Sequence, residues 1–122
     1  MPVTGPDFLS LQVRDLERSA AFYQRHLGLV RAPSGPPHAV VFDTRPIAFA
    51  VRDAAPGVDL DSTAQPGLGT GIWLLASDAQ EIHDALVAAG VPITSAPADG
   101  PFGRTLTFAD PDGYHVTLHD RG

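Results

Sequence analysis

The sequence predicts an α+β fold: two tandem β-α-β-β-β units forming a curved mixed sheet, with helices on its outer face and a ligand hollow inside. Three observations lead there. A strand-like run followed by an Asp-capped amphipathic helix and a glycine stop occurs twice, at Asp15 to Gly28 and at Asp78 to Gly90, about half the chain apart. Each helix is followed by short apolar runs separated by turn signals. Between the halves, "DAAPGVDLDSTAQPGLG" has the composition of a linker. The 122 residues then make a single domain, 1–122, with unit one at about 6–52, a linker at 53–69 and unit two at about 70–120.

The first strand lies in "PDFLSLQVRDL", where Leu9, Leu11 and Val13 alternate with Phe8, Ser10 and Gln12. Asp15 is placed to cap a helix whose Leu16, Ala20, Tyr23 and Leu27 share one face. Glu17, Arg18, Gln24 and Arg25 cover the other face, and Gly28 stops the helix. "HAVVF" and "IAFAV" then read as strands joined through "DTRP".

The second unit repeats this grammar. Ile72, Leu74 and Ala76 alternate with Trp73 and Leu75, and Asp78 with Glu81 has capping-box spacing. Ile82, Ala85, Leu86 and Ala89 form the predicted apolar stripe, ended by Gly90. "VPITS", "RTLTF" and "YHVTL" read as strands, the last two joined by the turn "DPDG".

Neither unit can bury its sheet on both faces, so residues opposite the helix-packing set line the hollow. These are Phe8, Ser10 and Gln12 on the first strand, and Gly71, Trp73 and Leu75 on its counterpart. On the last strand Val116 and Leu118 face the helix, which leaves His115, Thr117 and His119 toward the hollow.

Composition removes several function classes. A net charge of −6 with eight scattered basic residues argues against nucleic acid as a partner. The absence of cysteine excludes disulfides, thiolate metal sites, iron–sulfur clusters and a cysteine nucleophile. No apolar stretch approaches the roughly 20 residues needed to span a bilayer, and no secretory signal pattern is visible, so no membrane partner and a cytoplasmic location are expected. No nucleophile with an adjacent base, phosphate loop or His-Glu zinc motif is present.

"LQVRDLERSAAFYQRHLGL" and "GRTLTFADPDGYHVTLHD", set within the repeat, resemble the vicinal oxygen chelate superfamily of glyoxalases, dioxygenases, and fosfomycin- and bleomycin-resistance proteins. The resemblance implies a divalent metal held by a His on the first strand of each unit and a Glu on the last. Those positions carry Phe8, Gly71 and Thr117, and the fourth ligand strand is "IAFAV". None suits a site that wants carboxylate or imidazole. His115 and His119 are about 13 Å apart along a strand, too far to share one metal. No metal, no cofactor and no catalytic residue are therefore expected.

A member of this kind is similar to the bleomycin-resistance type, which sequesters a drug. The resemblance places Trp73 and, in "GPFGRTLTF", Phe102 at ligand-stacking positions, with His38 near a third. The expected function is metal-independent binding of a hydrophobic aromatic small molecule such as an antibiotic. Burial against Phe8, Phe49 and Leu75 would add affinity, with Ser10, Gln12, Arg104, His115 and Thr117 as polar contacts. A homodimer with its pocket at or near the subunit interface is expected. Two alternatives stay open: an enzyme with a rebuilt metal site or acid–base chemistry at His115, and a domain whose hollow is only an interface.

Overall fold

A computed structural model describes residues 2–121 and divides into two compact units that meet at Ser62/Thr63. In the first unit β1 (Phe8–Val13) leads into α1 (Leu16–Leu27), followed by β2 (Ala39–Phe42) and β3 (Ala48–Asp53). The second unit runs β4 (Trp73–Leu75), α2 (Ala79–Ala88), β5 (Ile93–Gly100), β6 (Gly103–Ala109) and β7 (His115–His119).

Hydrogen bonding organises these strands into two mixed sheets, one per unit, in the orders β1-β3-β2 and β4-β7-β6-β5. One continuous sheet was expected; instead each unit pairs its own first strand, parallel, with its own last strand. The first unit has three strands rather than four. Its missing member is reduced to an antiparallel bridge between Arg31 and Phe42, flanked by Ala32 N donating to Val41 O and Asp43 N donating to Val30 O. This remnant occupies the position next to β2 that β5 holds next to β6. The proline- and glycine-containing segment after it, "APSGPP", cannot extend the ladder.

Both helices begin as the caps predict. The Asp15 carboxylate accepts from Arg18 N and that of Asp78 from Glu81 N, each satisfying one of the otherwise unpaired first-turn donors. Gly28, at φ +70°, closes α1, its N–H reaching Gln24 O. In the second helix Ala89 is the cap and Gly90, at φ +78°, follows it.

Helix α1 packs on β3 and β2 and buries Ala20 and Tyr23. Helix α2 packs on β6 and β5 and buries Ala79 and Leu86, whereas Ala85 and Ala89 of the expected stripe are exposed. The inward line therefore keeps Leu86 and the half-buried Ile82 and extends one turn earlier to Ala79. Two cores result. Leu11, Val13, Tyr23, Phe42, Phe49 and Val51 fill the first, and Leu86, Leu106, Phe108, Val116 and Leu118 the second.

The connecting segment is tied to both neighbours. Gln12 Oε1 accepts from Ala55 N at 2.7 Å, and Arg14 donates to Leu60 O and to the Asp61 carboxylate, both at 2.6 Å. Beyond Ser62, Gly67 at φ +76° lies against the Tyr114 ring, where even a methyl group would crowd it. The "DPDG" turn is fixed by the buried Asp110, whose carboxylate accepts from Asp112 N and Tyr114 N. None of the described helices is long and apolar enough to cross a membrane.

Candidate functional site

Strand alternation places the candidate residues. In the first unit Phe8, Ser10 and Gln12 pair with Ala48, Ala50 and Arg52 on β3, so these six share a sheet face. Leu9, Leu11 and Val13 take the other face, toward the core. A cavity of about 520 Å³ opens on the first face, with Phe8, Ser10, His38, Ala50 and Arg52 among its walls. Pro36, Pro37, Pro56, Ala39 and Ala54 make the lining mainly apolar, and Asp53 also belongs to it.

His38 enters this wall in an unusual backbone state, φ +63°, a left-handed conformation uncommon for residues other than glycine. Two bonds to β3 hold it there. Asp53 N donates to His38 O at 2.9 Å, and His38 Nδ1 lies 3.1 Å from the Asp53 carboxylate. An ionised carboxylate only accepts, so Nδ1 carries the proton in this contact.

Phe49 has the opposite parity from Phe8. It is 3% exposed and packs its ring 5.2 Å from Tyr23 and 6.0 Å from Phe42. Its expected place on the ligand face is therefore corrected: Phe49 belongs to the core, because β3 registers it against Leu9. Gln12 stays on the open face, where its amide oxygen anchors the connecting segment at Ala55.

In the second unit Trp73, Thr117 and Thr107 form one cross-strand row on the open face. Leu75, His119 and Thr105 form the next. Trp73 and Phe102 are each 51% exposed, a large apolar surface for side chains of this size. Their ring centroids are 5.7 Å apart in edge contact. His119 completes the cluster at 5.6 Å from Trp73 and 6.2 Å from Phe102. Sequence reasoning put His119 on this face but not among the contact residues; the 115/117/119 alternation was the signal available for it.

Phe102 is held at the β5–β6 turn, where its carbonyl accepts from Arg121 N. The glycine after it is needed for close approach: at Gly103, φ +80°, a Cβ would stand 2.2 Å from an Asp120 carboxylate oxygen. His119 Nδ1 is 3.0 Å from Arg121 O; the carbonyl can only accept, so the proton sits on Nδ1.

The remaining polar candidates are engaged to different degrees. Arg104 Nε donates to Gln80 Oε1 at 2.6 Å and Nη1 to the Asp99 carboxylate at 2.8 Å, tying α2 and β5 to β6. Thr117 shares a 2.7 Å hydroxyl bond with Thr107. Exposed His115 makes a long contact, 3.4 Å, with the Gln65 amide, and Leu75 is exposed close to Trp73 on β4. Next to this network, hydrogen bonds from His83 and Gln80 hold the Asp84 carboxyl below the usual range.

A family model described as the Glyoxalase/Bleomycin resistance protein/Dioxygenase superfamily matches residues 5–118. The chain belongs to this superfamily. No curated protein matches it by sequence. Among solved structures it is similar to TnmS3, an antibiotic binding protein from Streptomyces sp. CB03234. That match has 24% identity over 100% of this chain and 99% of the other, with a TM-score of 0.74. It is also similar to lactoylglutathione lyase from Agrobacterium tumefaciens, at 21% identity over 98% and 96% of the two chains, TM-score 0.69. A bleomycin resistance determinant encoded on transposon Tn5 matches at 21% over 97% and 98%, TM-score 0.66. At these identities the likeness establishes the fold.

The residues of this superfamily member do not suit a divalent metal at the positions where its enzymes hold one. Phe8 offers a phenyl ring, Gly71 no side chain, and Thr117 a hydroxyl already engaged by Thr107. Among the described residues no group of three or more His, Cys, Asp or Glu side chains is placed to hold a metal elsewhere.

Proposed function

We propose that the protein binds and sequesters a hydrophobic aromatic small molecule, such as an antibiotic, without a metal ion. The observation that carries this reading is the half-exposed Trp73–Phe102–His119 cluster on the open face of the second sheet. Two rings in T-shaped contact, each side chain about half exposed, provide a stacking surface for a planar ligand. The first-unit cavity beside Phe8 and His38 supplies a second apolar surface. The antibiotic-binding and bleomycin-resistance names of two similar structures agree with the reading.

Ser10 and His38 then serve as polar contacts beside Phe8 on the open face of the first sheet, and His115 and Thr117 beside Leu75 on that of the second. A cytoplasmic homodimer with its pocket at or near the subunit interface fits the exposed Trp73, Leu75 and Phe8. A second reading is acid–base catalysis. It is favoured by the His38–Asp53 pair at the cavity wall, which resembles an oriented base.

Trp73 is the sole tryptophan, so its fluorescence reports on this surface alone. Titration with planar natural products such as anthraquinones should quench it saturably. Trp73→Ala, followed by calorimetry, should cost about 2 kcal/mol, roughly thirtyfold in Kd. Turnover of an α-keto or diol substrate would favour the enzyme. Absence of quenching by every compound, with Trp73→Ala leaving calorimetric binding unchanged, would sink the stacking reading.

A further inference from the structure

The first-unit cavity carries one feature that a purely apolar ligand would leave unused. Arg52 forms part of the wall, half-buried, on the same β3 face as Ala50. Its Nε donates to Asp53 O at 2.9 Å, and its two terminal nitrogens have no protein acceptor among the described residues. Asp53 lines the same cavity, and its carboxylate is engaged by His38 rather than by Arg52. A guanidinium with its fork unoccupied, beside an apolar cavity, is an incomplete site: its donors match the two oxygens of a planar anion.

The rest of the wall fits what such an anion would be attached to. Phe8, Pro36 and Pro37 present flat or rigid apolar surfaces, and Ala50 adds no bulk to the floor. The cavity of about 520 Å³ accommodates a two- or three-ring system rather than a single small acid. Ser10, whose hydroxyl also has no protein partner among the described residues, stands on the same face as a further donor. The left-handed backbone at His38 is a second, independent mark of this wall, since such strain persists only where neighbouring structure enforces it.

We infer that the first-unit cavity takes a planar polycyclic aromatic carboxylate, with the ring system against Phe8 and the prolines and the carboxylate on the Arg52 guanidinium. This rests on the aromatic-ligand reading and names the ligand class. The chain as a whole carries a net charge of −6, so long-range electrostatics repel an anion. Any preference for one is then local to Arg52.

The test compares 2-naphthoate with its neutral isostere 2-naphthamide by two-dimensional amide NMR of the full chain. Wild type should bind the acid roughly tenfold more tightly than the amide, with shifts concentrated on β1 and β3. Arg52→Gln should erase the gap by weakening the acid far more than the amide, and Phe8→Ala should weaken both alike. Equal affinities in wild type, or a gap that survives Arg52→Gln, would overturn the inference while leaving aromatic binding intact. If neither naphthalene binds, the inference also falls; the Trp73 titration then decides separately whether aromatic binding falls with it.

Discussion

The two units share a buried face and differ on the open one. Toward the helix, each sheet presents aromatic and aliphatic side chains: Leu11, Phe49 and Val51 in the first, Leu106, Phe108 and Val116 in the second. On the open face the first unit has Phe8, small alanines and Arg52, whereas the second has Trp73, threonines and histidines. Because side chains alternate along a strand, one face keeps the unit folded while the other is free to vary. The repeat is thus a shared scaffold with two chemically distinct surfaces.

The sharpest way to break that comparison is to truncate one aromatic on each face of the same sheet. Phe49→Ala should cost about 3–5 kcal/mol by denaturant unfolding, as expected for a large ring removed from a packed core. Phe8→Ala, at a position 52% exposed, should cost under about 1 kcal/mol. Similar losses for the two variants would mean that the first sheet is buried on both faces and has no free surface.

These two phenylalanines also show what was legible in the sequence. Phe8 alternates with Leu9 and Leu11 in a strand where polar Ser10 and Gln12 mark the parity, and its face was readable. Phe49 lies in "IAFAV", an unbroken apolar run with no polar residue to mark parity, so only the pairing with β1 decides its side. The helix caps and the repeat were readable because Asp15 and Asp78 act locally. The remnant strand at Arg31 was not, since two backbone bonds leave no hydrophobic pattern. Arg52 escaped notice for a related reason: its vacancy depends on which partner Asp53 chooses, a tertiary fact.

A smaller effect tests whether the repeat extends to energetics. Asp15 and Asp78 each accept one backbone N–H, at 3.1 and 3.0 Å. Asp15→Ala and Asp78→Ala should each lower unfolding free energy by about 1 kcal/mol, and by the same amount within about half of that. A cap that matters in one unit and not in the other would show that the two helices are held differently, one by its terminus and one by packing alone.

The smallest effect concerns how each unit fastens its helix to its sheet. Both use an arginine. Arg104 on β6 reaches Gln80 of α2 and Asp99 of β5, while Arg31 on the remnant strand reaches Gln24 and Glu17 of α1. The hydrogen bond from Arg31, with its charge, holds the Glu17 carboxyl below the usual glutamate range and in turn raises the arginine. A carboxyl lowered in the folded state stabilises fully above its ordinary pKa, and that contribution fades as pH falls through the lowered value. Arg31→Ala should therefore return the Glu17 midpoint, followed by side-chain carbon NMR, to the ordinary range. The melting difference between variant and wild type should shrink as the solution is acidified through that interval. Glu17 is solvent-exposed, so the shift in melting temperature stays small and weakens with added salt. A Glu17 midpoint unmoved by Arg31→Ala would show that the first unit holds its helix by Tyr23 and Ala20 packing, and that the likeness between the two arginines is one of position only.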